Sequence, residues 1–358
     1  MRTLGIGTLE LIHRLTFLRF QIGGIIGKGS FGECRDCVCR ISNVVCAVKV
    51  VEAKEDGGTW SSASIYKREV EFLRSLQHEN VVRYVDSYRD KRNLYIITEK
   101  CTGGEIFERL LQQKKFGEVD VSSIFVQVFR AIEYIHSMGV VHRDIKAENF
   151  LFTSGGTIKL IDFGLAARVS GSEYLSAIVG SAHYLAPEMI RQRYWKPVDL
   201  WSAGVMMYLL LFGRYPFDGD NDDQIIRRIK RGDLRYTGNT HLSSDAMDLL
   251  QRLLDKDHRK RITAKEALMH RFVTFDDDRT EADEIEERAI PLSVKNQLRS
   301  AMSRRESADE KARKVSELKA EILRQRRRLS RTASVPRICR GEQQRLAIAA
   351  LVSPTKKN

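Results

Sequence analysis

The sequence has no uninterrupted apolar run near the roughly 20 residues that a helix needs to cross a bilayer. Near the start, Glu10 and His13 break up the apolar residues, so we expect neither a membrane span nor a secretory signal. Arg2 follows Met1, which excludes N-myristoylation of a second-position glycine. These absences predict a cytoplasmic location, with the nucleus as an alternative.

Cysteine is sparse, with 6 in 358 residues, and four of the six crowd between Cys34 and Cys46. Because no secretory signal precedes them, we interpret them as reduced thiols rather than as a disulfide framework. The Cys34-x-x-Cys37-x-Cys39 spacing lacks a second ligand pair, which argues against a zinc finger. The acidic run at 218–223 has its glycine in the wrong place for a calcium-binding loop, so we reject that interpretation too.

Most of the chain carries no excess of positive or negative charge. Although the formal charge is +13, residues 1–287 hold 41 basic and 41 acidic side chains, and residues 288–358 carry the whole surplus. A surface that attracts an acidic partner would therefore lie in this basic tail. The tail lacks the interleaved aromatic residues that single-strand binders use, so we expect no nucleic-acid partner.

The stretch 141–152 has the pattern of a catalytic loop. Asp144, Lys146 and Asn149 are spaced so that one loop can hold a hydroxyl nucleophile, a phosphate and a metal ion. Asp162 follows a strand-like apolar run and supplies a second carboxylate for magnesium. A His-Arg-Asp triplet alone is about as often a salt-bridged surface turn, but Asn149 and Asp162 in register favour the catalytic interpretation.

A glycine-rich motif, Gly27-x-Gly29-x-x-Gly32, follows a strand predicted from 20 to 26. The motif alone fits a glycine turn or a dinucleotide fingerprint, and the latter opens a helix. Here the segments 33–40 and 44–51 alternate as two further strands instead. We therefore predict a hairpin whose backbone amides close over the phosphates of ATP.

Lys49 lies on the third predicted strand between apolar neighbours, and a buried cation requires a partner. The helix predicted over 65–76 offers two acids, Glu69 and Glu71. Glu69 precedes Phe72 by three residues and so shares its inward face, whereas Glu71 points elsewhere. We predict an ion pair between Lys49 and Glu69.

These motifs, from about Phe20 to about Val273, resemble those of the protein kinases. The closest resemblance is to the calcium/calmodulin-regulated group, and specifically to the catalytic domain of calcium-dependent protein kinases. It is carried by Cys101-Thr102-Gly103-Gly104-Glu105, Glu148-Asn149-Phe150-Leu151, Val179-Gly180-Ser181-Ala182-His183-Tyr184 and Asp199-Leu200-Trp201-Ser202-Ala203-Gly204.

The resemblance implies an α+β, two-lobed protein kinase fold. Its N-lobe, at 20–99, is expected to be an antiparallel β-sheet with one long helix, and its C-lobe, at 102–273, to be mainly α-helical. A lead-in at 1–19 precedes this domain, either as a basic amphipathic helix or packed weakly on the first lobe. An acidic-then-basic regulatory tail, partly helical and partly disordered, is expected at 274–358.

The resemblance implies a serine/threonine kinase that transfers the γ-phosphate of ATP to protein substrates with Mg²⁺. Asp144 is expected to accept the proton of the substrate hydroxyl, and Lys146 to neutralise the migrating phosphoryl group. Lys49 contacts the α- and β-phosphates, while Asn149 and Asp162 hold the metal. The implied nucleotide-binding residues are Ile26, Gly27, Lys28, Gly29, Ser30, Phe31, Gly32, Cys34, Ala47, Lys49, Thr98, Glu99, Cys101, Glu105, Glu148, Asn149, Leu151 and Asp162.

The segment 98–105 is expected to be the hinge and its exit. Thr98 guards the back of the adenine pocket, and backbone groups from Glu99 to Cys101 read the adenine edge. Glu105 resembles the acid that binds ribose or a basic substrate residue, although a helix N-terminal acid favoured by the dipole explains it equally well. Glu105 and Glu148 are candidates for reading an upstream arginine.

The segment between Asp162 and Ala186 has the length of an activation loop. Ser181 resembles the hydroxyl residue that contacts the catalytic Asp and Lys, so Ser176 is the better phosphosite. Arg143 implies a basic pocket that a phosphate from this loop, or the carboxylate of Glu173, could fill.

Two structural pairings and several departures complete the comparison with the family. Asp199 is expected to brace the catalytic-loop backbone, and Glu188 to pair with Arg261. The departures are Cys34 in place of the usual Val, Ala147 in place of Pro and Arg271 in place of the Pro after His270. None of them removes a catalytic group. A catalytically inactive kinase-fold scaffold is the alternative function, but it would be expected to lack one of the catalytic side chains.

No calcium-binding loops follow the kinase-like region, so calcium control would come through calmodulin or a partner, unless the chain is a partial product. Residues 290–306 place Val294, Leu298 and Met302 on one helical face among cations. That profile fits an autoinhibitory or calmodulin-binding helix, with an ordinary solvated helix as the alternative. Ser334, which follows arginines, is a candidate phosphosite for a phosphoserine-binding adaptor.

Overall fold

The computed structural model describes residues 19–29, 32–53, 61–106, 108–109, 115–171, 173–232, 234, 242–274 and 288–289. Ser30 and Phe31 of the glycine-rich motif lie outside the described residues, as do the lead-in at 1–18 and the tail beyond 289. The predictions for the calmodulin-binding segment at 290–306 and for Ser334 therefore remain predictions.

An antiparallel sheet of five strands forms the first lobe, in the spatial order β1-β2-β3-β5-β4. The strands are β1 (Phe20–Gly29), β2 (Gly32–Cys39), β3 (Val45–Glu52), β4 (Tyr84–Arg89) and β5 (Asn93–Glu99). Alternate residues of the strands share a face, so Cys37, Cys46 and Val48 enter one core with Phe20 and Tyr95. The predicted antiparallel lobe is confirmed.

Helix α1 (Ser62–Ser75) packs beside this sheet. Ser61 caps its N-terminus by accepting a hydrogen bond from the Ser64 amide at 3.2 Å, which satisfies one of the first-turn donors. Phe72 and Glu69 are both buried, so the helix turns the predicted face inward.

The second lobe is mainly helical, as predicted. Its helices are α2 (Glu118–Ser137), α3 (Pro187–Ile190), α4 (Pro197–Phe212), α5 (Asp222–Arg231), α6 (Ser244–Leu253) and α7 (Ala264–Leu268). Most of α4 is buried, so it forms part of the core of this lobe. Across the described part of the chain, no helix combines the length and apolar character that a membrane span requires.

Short strands also form pairs in this lobe. They are β6 (Lys115–Phe116), β7 (Val140–Val141), β8 (Phe150–Phe152), β9 (Ile158–Leu160), β10 (Ala167–Arg168) and β11 (Arg288–Ala289). Strand β8 pairs with β9 and β7 with β10, which carries the chain in and out of the predicted catalytic loop. Strand β11 adds to the edge of β6, a pairing that the sequence did not predict.

Asp199, in the first turn of α4, supports the loop from below. Its carboxylate is fully buried and accepts hydrogen bonds at 2.9 Å from the backbone amides of His142 and Arg143, as predicted. His136 adds a third contact at 2.9 Å. Burial alone would raise the pKa of Asp199, but His136 and the amide donors outweigh it and lower the pKa. The carboxylate thus stays charged and holds the loop.

The predicted pairing between Glu188 and Arg261 is also present. Arg261 Nη2 lies 3.0 Å from Glu188 Oε2, and both side chains are buried. The guanidinium also donates to the carbonyls of Asp255 and Pro197. This satisfied pair joins α3 to the segment before α7.

Candidate active site

Lys49 brings together three parts of the chain that are far apart in sequence. From β3, its Nζ lies 2.8 Å from Glu69 Oε2 on α1 and 2.9 Å from Asp162 Oδ1, which follows β9. The predicted ion pair between Lys49 and Glu69 is confirmed. Glu71, by contrast, is exposed and pairs with Arg168 at 3.4 Å.

Opposing effects set the ionisation of this cluster. Burial would lower the pKa of Lys49, but the charges of Asp162 and Glu69 outweigh it and raise the pKa. Burial raises the pKa of Glu69 to about 7, against the attraction of Lys49. Lys49 is therefore a firmly charged cation, while Glu69 changes protonation near neutral pH.

Asp162 adopts a left-handed backbone conformation with φ of 62°, which an L-residue takes only when its surroundings enforce it. Its Oδ1 accepts a hydrogen bond from Gly164 N at 3.4 Å and so caps the following turn. Gly164 lies against α1, where an added Cβ would come 2.9 Å from Ile65 Cγ2. Arg68 of α1 also donates to Gly164 O at 3.1 Å. The turn carrying Asp162 is thus tied to the helix carrying Glu69.

Three residues of the catalytic loop, Asp144, Lys146 and Asn149, also lie close to one another. Lys146 Nζ lies 2.7 Å from Asp144 Oδ2 and 3.3 Å from Ser181 Oγ, which is the predicted contact between Ser181 and the catalytic lysine. Asn149 Nδ2 donates to the Asp144 carbonyl at 2.7 Å and to Asp144 Oδ2 at 3.1 Å. Asp144, Lys146 and Asn149 are all buried, so their geometry is held by packing.

The donors at this position fit a magnesium ion. Both hydrogen bonds of Asn149 to Asp144 use the amide nitrogen, so the amide oxygen faces the other way. With the carboxylate of Asp162, this gives the oxygen-only set that Mg²⁺ prefers. The described residues contain no cluster of three His, Cys, Asp or Glu side chains suited to a metal. Two protein ligands completed by substrate phosphates are, however, the usual arrangement for Mg²⁺.

The glycine-rich hairpin lies in register with Lys49. Gly27 pairs with Cys34 across β1 and β2, and Cys34 pairs with Lys49 across β2 and β3. Gly32 has φ of 150°, and an added Cβ would run into the Val50 carbonyl, so only glycine fits there. The backbones of Lys28 and Gly29 continue β1, while the Ile26 side chain is 45% exposed. The hairpin therefore lies in the same sheet as Lys49, with β2 directly beside the strand that carries it.

The hinge is fixed by ion pairs to both sides. Glu99, at the end of β5, accepts a hydrogen bond from Arg83 N at 2.8 Å and pairs with Lys159 of β9 at 2.9 Å. Lys100 pairs with Asp36 of β2. These contacts hold the segment whose backbone is predicted to read adenine.

Thr98 and Ala47 face each other in the β3–β5 ladder, so two predicted adenine contacts are neighbours. Cys34 and Cys101 are half-buried free thiols. Burial raises the pKa of Cys34 and raises that of Cys101 to about 11, so both stay protonated. All five cysteines in the described residues are free, in line with the prediction of reduced thiols.

Glu105 and Glu148 lie at the exit of the hinge and in the catalytic loop. Glu105 forms an isolated β-bridge with Leu151, two residues after Asn149. Its carbonyl accepts from Arg109 N at 3.1 Å, so it also begins a helical turn. Glu148 Oε2 is buried and has no hydrogen-bond partner among the described residues. An acceptor held this way is available to a cationic substrate group.

The activation segment is tied to the loop in a way that the sequence did not reveal. Arg143 donates to the carbonyls of Leu165 at 2.6 Å and Ala166 at 3.4 Å, and to the Tyr194 hydroxyl at 3.2 Å. Tyr194 in turn donates to the Ala177 carbonyl. Glu173 accepts a hydrogen bond from Ser170 at 3.2 Å.

Tyr194 was not predicted from the sequence. It contacts Ala177, 17 residues away, and Arg143, 51 residues away, and no local sequence pattern indicates such contacts. Ser176, the predicted phosphosite, is exposed. Its phosphorylation remains a prediction.

Comparisons with known proteins identify the family of the chain. The family described as protein kinase domain matches residues 20–273. CDPK-related kinase 7 of Arabidopsis thaliana is 40% identical over 263 residues, which cover 70% of this chain and 45% of the relative. Calcium-dependent protein kinase 5 of Plasmodium falciparum is 34% identical over 252 residues, 69% of this chain and 44% of its own length.

A rice relative, calcium/calmodulin-dependent serine/threonine-protein kinase 1 of Oryza sativa subsp. japonica, is 38% identical over 265 residues. These residues cover 71% of this chain and 44% of the relative, so the chain spans less than half the length of these relatives. The family match covers most of the chain, and the two-lobed fold agrees with it. The chain therefore belongs to the protein kinase domain family, with a catalytic domain like that of the calcium-dependent protein kinases.

Proposed function

We propose that this protein is a serine/threonine protein kinase that transfers the γ-phosphoryl group of ATP to hydroxyls of protein substrates. The observation that carries the proposal is that Lys49 contacts both Glu69 and Asp162 within 2.9 Å, together with the buried pair of Asp144 and Lys146. Burying charges costs more free energy than burying apolar side chains of similar size, and such clusters are found preferentially at functional sites. Catalysis of this kind consists mainly of positioning and charge neutralisation.

In the proposed reaction, the oxygen of the substrate hydroxyl forms a bond to the γ-phosphorus. The bond from that phosphorus to the bridging oxygen breaks, and ADP leaves with the electron pair. Asp144 orients the hydroxyl and accepts its proton, and Lys146, 2.7 Å away, lies where the negative charge of the moving group must pass. Lys49 fixes the α- and β-phosphates, and Glu69 holds Lys49 in position.

Asp162 and Asn149 would hold magnesium against the phosphates. When bound, the metal supplies charge neutralisation at the phosphate oxygens. The hairpin backbone from Gly27 to Gly32 would exclude water above the nucleotide.

The test uses the purified full chain with radiolabelled ATP, magnesium and a serine peptide. Transfer to the peptide is expected, and Lys49→Met or Asp144→Asn should lower the rate by about 100-fold or more. Lys67→Met serves as the matched control, because Lys67 is exposed on α1. Nucleotide binding without transfer would instead favour the inactive scaffold, and absence of both would contradict the proposal.

We further propose that the substrate carries an arginine upstream of the phosphorylated residue. The support is the buried, unpaired Glu148 Oε2 beside the catalytic loop, with Glu105 nearby on the segment that bridges to Leu151. Replacing arginine by alanine in the peptide should lower kcat/KM for the parent chain but much less for Glu148→Ala. Glu79→Ala, at an exposed position of the first lobe, should keep the full preference. If replacing the arginine lowers kcat/KM equally for the parent chain, Glu148→Ala and Glu79→Ala, this proposal is wrong.

The third part of the proposed function is regulation of the kinase activity by the tail. The names of the relatives include calcium-dependent and calcium/calmodulin-dependent kinases, and residues 290–306 have the amphipathic basic pattern of a calmodulin target or autoinhibitory helix. Calcium-calmodulin should raise peptide phosphorylation by the full chain, and Leu298→Asp should remove that response while Leu318→Asp keeps it. Equal activity in every case would contradict autoinhibition.

Two smaller proposals concern partners and place. Phosphorylated Ser334 would bind a phosphoserine-specific adaptor, which a pull-down comparing the phosphorylated and unphosphorylated full chain tests. We place the protein in the cytoplasm, with the nucleus as the alternative, and imaging of the tagged full chain distinguishes them.

A further inference from the structure

Tyr194 holds the activation segment by two separate contacts. Its backbone forms an isolated β-bridge with Leu175, in which Leu175 N donates to the Tyr194 carbonyl at 2.8 Å and Tyr194 N donates to the Leu175 carbonyl at 3.1 Å. The Tyr194 hydroxyl donates to the carbonyl of Ala177. The backbone and the side chain of one residue therefore fix the activation segment at two neighbouring points.

The same hydroxyl also accepts a hydrogen bond from Arg143 of the catalytic loop, whose Nη1 lies 3.2 Å away. Arg143 is itself held in place, because its Nε and Nη2 donate to the carbonyls of Leu165 and Ala166. Tyr194 is fully buried, and burial raises the pKa of its hydroxyl although the charge of Arg143 opposes this rise. The hydroxyl therefore keeps its proton, and it can donate to Ala177 while it accepts from Arg143.

The stretch 177–181 leads from this contact into the candidate active site. Ile178 and Val179 within it are buried. At its end, Ser181 Oγ lies 3.3 Å from Lys146 Nζ. Because the stretch is short and its interior is packed, a shift at its start moves Ser181 relative to the catalytic loop.

We propose that Tyr194 is a positioning residue for phosphoryl transfer. Its hydroxyl joins Ala177 of the activation segment to Arg143 of the catalytic loop, so that the two segments keep one arrangement around Asp144. Tyr194 acts through these two residues and not on the substrate, and the inference rests on the proposed kinase function. A displacement of about 1 Å at a reacting group can lower a rate about 100-fold, so the loss of one hydroxyl away from the chemistry is sufficient to be measured.

The test is Tyr194→Phe in the full chain, which removes only the hydroxyl. For peptide phosphorylation, kcat counted per mole of bound nucleotide should fall about tenfold, while KM for ATP should stay within about twofold of the parent value. Counting per bound nucleotide excludes any loss that comes from unfolded protein. An unchanged kcat would overturn the proposal.

Tyr95→Phe is the matched control. The Tyr95 hydroxyl, in the first lobe, also donates one hydrogen bond, to Asp90 Oδ2 at 2.8 Å, and accepts one, from Asn93 Nδ2 at 3.3 Å. This variant loses a similar pair of hydrogen bonds and should keep the parent kcat. An equal fall of kcat in both variants would also overturn the proposal, because a general loss of packing would then explain it.

Hydrogen exchange measured by mass spectrometry tests the positioning without depending on kinase activity. In Tyr194→Phe, peptides that cover 173–181 should exchange about fivefold faster or more, whereas peptides from α2 and α4 should exchange as in the parent. No change at 173–181, or faster exchange throughout the second lobe, would overturn the proposal.

The two measurements separate this inference from the proposed function. A parent chain that transfers no phosphate would contradict the proposed function, and the exchange of 173–181 would still decide whether the Tyr194 hydroxyl holds the segment. A parent chain that transfers phosphate, with a Tyr194→Phe variant of equal kcat and equal exchange, would contradict only the role of Tyr194.

Discussion

At the scale of single residues, the candidate site depends on a buried cation shared by two carboxylates. Lys49 could be predicted to need a partner because apolar neighbours flank it in β3, and helical spacing selected Glu69 over Glu71. The third member, Asp162, was predicted as a metal ligand, but its 2.9 Å contact with Lys49 was not. That contact depends on a left-handed backbone at φ 62°, which no local pattern encodes.

The pKa of Glu69 predicts a pH-dependent activity. Because burial raises this pKa from 4.5 to about 7, Glu69 is protonated below neutral pH and no longer holds Lys49 as an ion pair. Peptide phosphorylation should therefore rise with pH through about 7. Folding stability changes with pH in the opposite direction to activity. A pKa raised in the folded state favours folding at low pH, and that contribution to the free energy of unfolding is lost as pH rises from about 4.5 to about 7.

Glu69→Gln should lower the rate and flatten this rise, since the amide does not titrate. Glu71→Gln is the control, because Glu71 lies on the same helix and is exposed. A rate profile that keeps the same limb near pH 7 in Glu69→Gln would show that another group is responsible.

Asp199 gives a prediction about stability. In Asp199→Asn the amide group must face either the Arg143 amide or the donors of His142 and His136, and at least one buried donor loses its acceptor. Removing one partner of a buried charged network costs about 3–5 kcal/mol. Urea unfolding should show that loss, whereas Asp248→Asn, at a half-exposed ion pair, should lose no more than about 1 kcal/mol.

At the scale of elements, apolar periodicity and turn residues predicted most strands and helices. The predicted end of strand β1 was wrong. The strand was predicted to end at Ile26 but continues to Gly29, because Gly27 and Gly29 pair with residues of β2. The pairing of β11 with β6 could not be predicted, since two strands of two residues have no periodicity to detect. Long-range pairing, rather than local propensity, decides such elements.

At the scale of elements, Gly180 allows a prediction, because this residue sets how closely the activation segment approaches the catalytic loop. It has φ of 95°, and an added Cβ would lie 2.6 Å from the Arg143 carbonyl and 3.5 Å from Asp144 Oδ1. Gly180→Ala must push the two segments apart and should lower the peptide phosphorylation rate by about 100-fold. Gly171→Ala shares the positive φ, at 57°, but meets no atom within 4 Å, so its rate should change little. Equal losses would show that backbone strain alone is responsible.

At the scale of the whole molecule, charge and fold are separated along the chain. Residues 1–287 are balanced, with 41 charges of each sign, so the two lobes fold without a large self-repulsion. The surplus of 13 positive charges lies in residues 288–358. Sequence alone could locate this division, because it is a matter of counting, but it could not supply the strand that fixes the tail at β6.

Ligand binding across the two lobes gives the last prediction. Lys49 and Glu69 belong to the first lobe and Asp144, Asn149 and Asp162 to the second, so a nucleotide with magnesium contacts both and stabilises only the folded chain. At about 100 times its Kd, such a ligand adds about 2.7 kcal/mol, or roughly 5–10 °C in Tm for a domain of this size.

Differential scanning fluorimetry should show this increase for the parent chain and a rise with nucleotide concentration. Asp162→Asn should lose most of the magnesium-dependent part, because it replaces a carboxylate ligand by a neutral amide and removes the charge that opposes Lys49. Asp220→Asn, exposed before α5, should respond like the parent. A parent Tm that is insensitive to ATP and magnesium would mean that these side chains do not form one nucleotide site, whatever their distances.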